Sequence, residues 1–166
     1  MRIVFSGLLA AGLVSASIAS AQQCVRPADM SAFGIAGLKS QLMVTALTCG
    51  RQDRYNDFVH RFQKDLMAQE HALHAYFARV FGGRGQQQHD DYITSLANAQ
   101  SQSGIRQGSL FCQQNVGMFE EVMALPKGAD LAGYASGKSI AQPVELVSCP
   151  AKAEPTQTAQ ARAARR

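Results

Sequence analysis

Residues 47–53 read LTCGRQD, and they place a cysteine at the end of an apolar helical pattern. Gly50 stands where a helix stops by turning left-handed. Asp53 suits the start of the next helix. Working back from Cys49, Ile35, Leu38, Leu42, Ala46 and Cys49 recur at spacings of 3, 4, 4 and 3. That spacing predicts one apolar stripe on a helix running from about Ser31, a capping residue. Met43 and Leu47 widen the stripe.

Working forward, Tyr55, Phe58, Val59, Phe62 and Leu66 share a face, and the pattern continues through Leu73, Phe77, Val80 and Phe81 to Gly82-Gly83. The spacing fits one long helix over 53–81 or two pieces that break near Met67 to Gln69. Residues 82–88, GGRGQQQ, read as a loop. A third helix is expected from His89 or Asp90, with Asp90-Asp91 facing the positive end of its dipole and Tyr92, Ile93 and Leu96 as its apolar side. SQSGIRQGS, residues 101–109, should end it. A fourth runs from about Ser109 to Leu125 on Cys112, Val116, Phe119 and Met123, and Pro126 stops it. Beyond it, residues 127–150 carry three glycines and two prolines without a helical period. Pro143 to Val147 reads as one short extended piece. The expected fold class is all-α: a disulfide-stapled bundle of four helices, or five if 53–81 divides, with an irregular C-terminal segment.

Four cysteines, Cys24, Cys49, Cys112 and Cys149, contain no C-x-x-C. Their redox state follows from the first residues. Arg2, the apolar run from Ile3 to Val14 and Ala19-Ser20-Ala21 have the order of a secretory signal peptide with an A-x-A cleavage site. Residues 1–21 are expected to be removed, leaving a mature chain from Gln22. No later run approaches the ~20 apolar residues of a membrane span, and Ala21-Gln22-Gln23 before Cys24 is not a lipid-attachment sequence. An even cysteine count in an exported chain predicts two disulfides and a periplasmic or secreted protein. If the helices alternate in direction, Cys49 and Cys112 meet at one end of the bundle and Cys24 and Cys149 at the other. The other two connectivities would tie opposite ends together across ~25 Å of helix, whereas bridged Cα atoms lie within ~7 Å. The parity flips if 53–81 folds back on itself.

The formal net charge of +4 is unevenly placed. Residues 22–150 hold 11 basic and 11 acidic side chains, so they form one neutral domain, with no support for a nucleic-acid face. The excess lies in AKAEPTQTAQARAARR, residues 151–166, whose composition is that of a disordered tail. Its arginines suit a weak contact with an anionic membrane or cell-wall polymer.

No familiar reaction centre is written in the chain. Glu70-His71-Ala72-Leu73-His74 sets two histidines at i, i+3 beside a glutamate, making Glu70, His71 and His74 the candidates for metal ligands. H-E-x-x-H and G-x-S-x-G are absent. Four paired cysteines leave no free thiol for nucleophilic catalysis. Asp90-Asp91 and Glu120-Glu121 are adjacent pairs, which diverge by ~100° on a helix and read as a helix terminus and a solvated face. No cofactor is expected. The aromatics fall at helical spacing and read as core.

LKSQLMVTALTCG, YNDFVHRFQKDL and LHAYFARVFG, followed by YITSLANAQS and FCQQ, resemble small exported alphaproteobacterial helical proteins of unassigned function. The resemblance spans Leu38 to Cys112 and implies a secreted helical domain, with no catalytic residue. The sequence therefore leads to a non-enzymatic binding or accessory protein that acts on another envelope component. An envelope enzyme with a site assembled in three dimensions, or a small-ligand or lipid carrier, are the alternatives. The expected cleavage is checked by the intact mass of protein recovered from outside the cytoplasm, which should match a chain starting at Gln22.

Overall fold

The computed structural model describes residues 24–126 and 130–149. The expectations for residues 1–21 and for the tail, residues 151–166, fall outside the described residues. The domain is all-α, in the order α1 (Pro27–Cys49), α2 (Gln52–Arg61), α3 (Gln63–Phe81), α4 (Gly85–Gln107), α5 (Leu110–Asn115), α6 (Gly117–Ala124) and α7 (Leu131–Ser136). A 3-10 turn, Gly82–Arg84, joins α3 to α4.

α1 starts earlier than Ser31 because Pro27, with its preset φ, occupies the first turn. Ser31 does not cap it; the hydroxyl donates back to the Pro27 carbonyl. The end at Gly50 is as the sequence suggests, with φ 64°. The single stripe needs correction. Ile35, Leu38, Leu42 and Ala46 enter one core cluster with Phe58, Phe62, Leu66, Phe119 and Val122. Ala32 and Phe33 enter a second with Leu73, Phe77, Tyr92 and Leu96. Ser40, Gln41, Val44 and Thr45 are buried as well, whereas Leu47 is 64% exposed. A helix buried around most of its girth packs at the centre of a domain, and α2, α3, α4, α5 and α7 all lie against α1. The expected disulfide-stapled all-α bundle is thus organised around a central helix. Central burial also explains why α1 is long and apolar enough to cross a membrane: over half of that window is covered by the domain itself.

The helix expected over 53–81 divides at Phe62, not at Met67 to Gln69. Phe62 departs from helical geometry (φ −104°, ψ 18°), yet its N–H still bonds the Phe58 carbonyl and its carbonyl still receives the Leu66 N–H. Phe58, Phe62 and Leu66 enter the same core, so the chain bends there without reversing. The GGRGQQQ loop is replaced by the 3-10 turn and the first turn of α4. A Cβ on Gly85 would lie 2.8 Å from the Ala78 Cα, so only glycine allows α4 to start this close to α3. Asp90 and Asp91 consequently sit beyond the first turn of α4. That helix also continues through 101–107, where Gly104 admits the Phe111 ring: a Cβ there would lie 3.3 Å from it.

The fourth expected helix is interrupted at Val116, giving α5 and α6. α7 falls in the segment read as irregular. It is capped by Asp130, which accepts from the Ala132 N–H, and it buries only Leu131 and Ala135. Two anchors in six residues leave no readable period. The strap that follows is tied down by polar side chains. Tyr92 donates to Gln142 (2.9 Å), and the buried Gln100 donates to the carbonyls of Gly37 (3.0 Å) and Ala141 (3.3 Å). Val25 and Ser148 form an isolated parallel bridge, with Val25 N–H bonded to the Val147 carbonyl and Cys149 N–H to the Val25 carbonyl.

The bridges are Cys49–Cys112 and Cys24–Cys149, closing sequence separations of 63 and 125. In the chain-entropy view such loops stabilise by roughly 4–5 kcal/mol each. Two disulfides fit an oxidising, non-cytoplasmic environment.

Gly85→Ala should lower stability by about 1–3 kcal/mol, read from the denaturant midpoint. A second test concerns the buried Asp29. Arg26 bonds it through two nitrogens (2.7 and 3.1 Å), and Arg79 bonds it at 2.8 Å. The Arg26 hydrogen bond, followed by Arg79, holds its carboxyl below the usual carboxylate range despite burial. A lowered folded value means the contribution is complete above the unfolded carboxylate pKa of about 4 and is lost as pH falls below it. Thermal melts from pH 6 to pH 2 should therefore drop more steeply for wild type than for Asp29→Asn, with the difference confined to the acid end.

Candidate functional site

A cleft of about 350 Å³ opens between α1, α3 and α4, with Tyr55 of α2 at its edge. Its apolar lining comes from Ala36, Met43, Ile93 and Ala97, and its polar lining from Lys39, Ser40, Glu70, His89, Asp90 and Thr94. Each helix contributes for a local reason. α1 runs through the centre, and Ala36, Ser40 and Met43, spaced 4 and 3 along one face, line the cleft. α3 presents Glu70 one turn above His74. The close α3–α4 turn at Gly85 then brings His89, in the second turn of α4, level with them.

Three ligand-type side chains converge here: Glu70, His74 and His89, each offering an atom within 4.8 Å of the others. Glu70 Oε1 lies 3.1 Å from His89 Nε2 and 3.5 Å from His74 Nε2. The two imidazoles are stacked, centroids 3.8 Å apart and 21° from parallel. The Phe77 ring meets His89 edge-on at 5.7 Å. His89 is 5% exposed. Its Nδ1 lies 3.1 Å from Asp90 Oδ1, and Asp90 also accepts from Gln86 at 2.9 Å. Those two hydrogen bonds, His89 first, hold the Asp90 carboxyl below the ordinary range. Lys39 Nζ stands 4.0 Å from the other Glu70 oxygen, Oε2.

Of the sequence candidates, Glu70 and His74 meet and His71 does not. His71 is exposed, one residue round the helix from Glu70 and so turned away from α4. The productive spacing is i, i+4, Glu70 to His74, which shares a face, not the i, i+3 pair of histidines. His89 was legible only as an isolated histidine near a helix start. Linking it to Glu70 requires the tight turn at Gly85. Of the two acidic pairs, Asp90 orients an imidazole instead of serving a helix terminus. Glu121 accepts from Tyr134 and pairs with Lys138, and Glu120 pairs with Arg54 at 3.1 Å. Neither pair converges on one point.

Ser40 Oγ is buried without a hydrogen-bond partner, and His89 Nε2 has the Glu70 Oε1 contact at 3.1 Å without hydrogen-bond geometry. Buried polar atoms are normally satisfied, so the Ser40 hydroxyl is the group on the cleft left open to a ligand. No protein-family model, curated protein or solved structure matches this chain.

Proposed function

We infer that the protein is exported and works as a binding or accessory protein of the cell envelope, using the cleft between α1, α3 and α4 as its recognition site. The observation that carries this is the cleft lining: apolar Ala36, Met43, Ile93 and Ala97 with the unpartnered Ser40 Oγ and the polar Lys39 and Thr94 beside them. An apolar pocket with a few convergent polar groups is the usual form of a ligand site. Ser40 Oγ and His89 Nε2 are not bonded to each other, an arrangement that suits holding a ligand better than activating a nucleophile, which needs a hydrogen-bonded base. Export is supported by the order of residues in 1–21 and by the two disulfides. The neutral charge of residues 22–150 favours a partner recognised by shape and a few polar contacts over a polyanion.

A photo-crosslinking residue placed at Thr94, on the cleft, should capture one dominant envelope component in intact cells, identified by mass spectrometry. The same residue at Gln113, an exposed position on α5, should not. Equal capture at both positions, or none at Thr94, would remove the cleft as the recognition site.

A further inference from the structure

We propose that Glu70, His74 and His89 form a binding site for a divalent transition-metal ion of the zinc type. The site goes beyond the cleft-binding function and stands without it.

The central observation is the convergence of three ligand atoms. His89 Nε2 is buried and lies 3.1 Å from Glu70 Oε1, the same oxygen is 3.5 Å from His74 Nε2, and the three residues each offer an atom within 4.8 Å of the others. The far nitrogen of His89, Nδ1, lies 3.1 Å from Asp90 Oδ1. With the ring N–H on that side, the Nε2 lone pair is left for the cluster, and a cation held there would bond to all three side chains. The Asp90–His89 contact is the arrangement that prepares a ligating histidine: a carboxylate on the far nitrogen fixes the tautomer, sets the ring and raises its basicity. The edge-on Phe77 ring restrains the same imidazole from the side.

The distances fit a small ion. Ligand atoms about 2.1 Å from a tetrahedral metal lie ~3.4 Å apart. The two edges from Glu70 Oε1 measure 3.1 and 3.5 Å. The stacked rings have to splay for both Nε2 atoms to point at one ion. His74 is the ring free to tilt, since its side chain is 40% exposed and His89 is held. Two imidazoles and one carboxylate are borderline ligands, which favour zinc and its neighbours over calcium or magnesium. The surrounding charge agrees. Among the described residues of the cleft, Glu70 and Asp90 supply two negative groups against the Lys39 ammonium, which pairs with Oε2 and leaves Oε1 for the ion. Three protein ligands would leave a fourth position open, and two of them, Glu70 and His89, line the cleft.

The test uses the disulfide-bonded mature chain, stripped with chelator and titrated with ZnCl2 by calorimetry, with Co²⁺ absorption as a second readout. One equivalent should bind with a Kd of about 1 µM or tighter, and Co²⁺ should give the visible bands of a four- or five-coordinate site. His74→Ala and Glu70→Gln should each weaken binding by about tenfold or more, and Asp90→Asn by about tenfold through the ring it orients. His71→Ala, which removes a nearby histidine that lies outside the cluster, should leave the affinity within about twofold. Glu70 and His74 are partly exposed, so these variants stay informative even if His89→Gln fails to fold. Binding no tighter than that of the His74→Ala chain, several equivalent weak sites, or an equal loss in His71→Ala would each overturn the site. Photo-crosslinking at Thr94 reads the cleft separately, so either conclusion can fail alone.

Discussion

α1 is the element on which the rest of the domain depends. It is covered on most sides, so α2, α3, α4, α5 and α7 each take their position from a row of α1 side chains. Leu38 and Leu42, both fully buried, set one cluster, and Phe33 sets the other. A core organised around one helix has an uneven energetic distribution. Truncating Leu38 or Leu42 removes contacts to several elements at once, whereas most surface helices touch the core along one face. The polar residues inside α1 matter for the same reason. Ser40 and Gln41 interrupt the apolar girth, and Ser40 does so at the floor of the cleft.

The disulfides act at the two ends of this arrangement. Cys49 lies where α1 ends and Cys112 in the first turn of α5, so their bridge fixes the close of the central helix against the start of the returning chain. The segment after α7 buries little of its apolar surface: Ile140 and Leu146 are partly buried, and Val144 and Val147 are exposed. Gln100, Gln142 and the Cys24–Cys149 bridge hold it, replacing hydrophobic burial with directed bonds. The hydrogen bonds fix the strap's position at only about 1 kcal/mol each, and the bridge supplies the larger share of its stability.

The legible parts of the fold were those written locally. Helical type, the stop at Gly50 and the core roles of Phe58, Phe62 and Phe119 follow from spacing and residue type. The bend at Phe62 was not legible, because the apolar row passes through it unbroken. The start of α4 was misread because GGRGQQQ has loop composition, while Gly85 serves a tertiary purpose, contact with the Ala78 backbone. α1 showed one stripe because Ser40, Gln41 and Thr45, buried outside it, are polar, and Gly37, Ser40 and Gln41 break the row that would join Phe33 to Val44. For the site, Glu70 and His74 were in view. His89 needed the α3–α4 turn, a long-range fact that side-chain spacing does not contain.

The Cys24–Cys149 bridge has a mechanical consequence. Its Cα atoms are 4.7 Å apart, and they bracket nearly every described residue. Tension applied between segments attached outside the two cysteines would pass through the sulfur–sulfur bond and bypass the helices. The domain is therefore inextensible along its own chain ends while the bridge is oxidised. Whatever extends beyond Cys24 and beyond Cys149 leaves from a single point, as two cords from one knot.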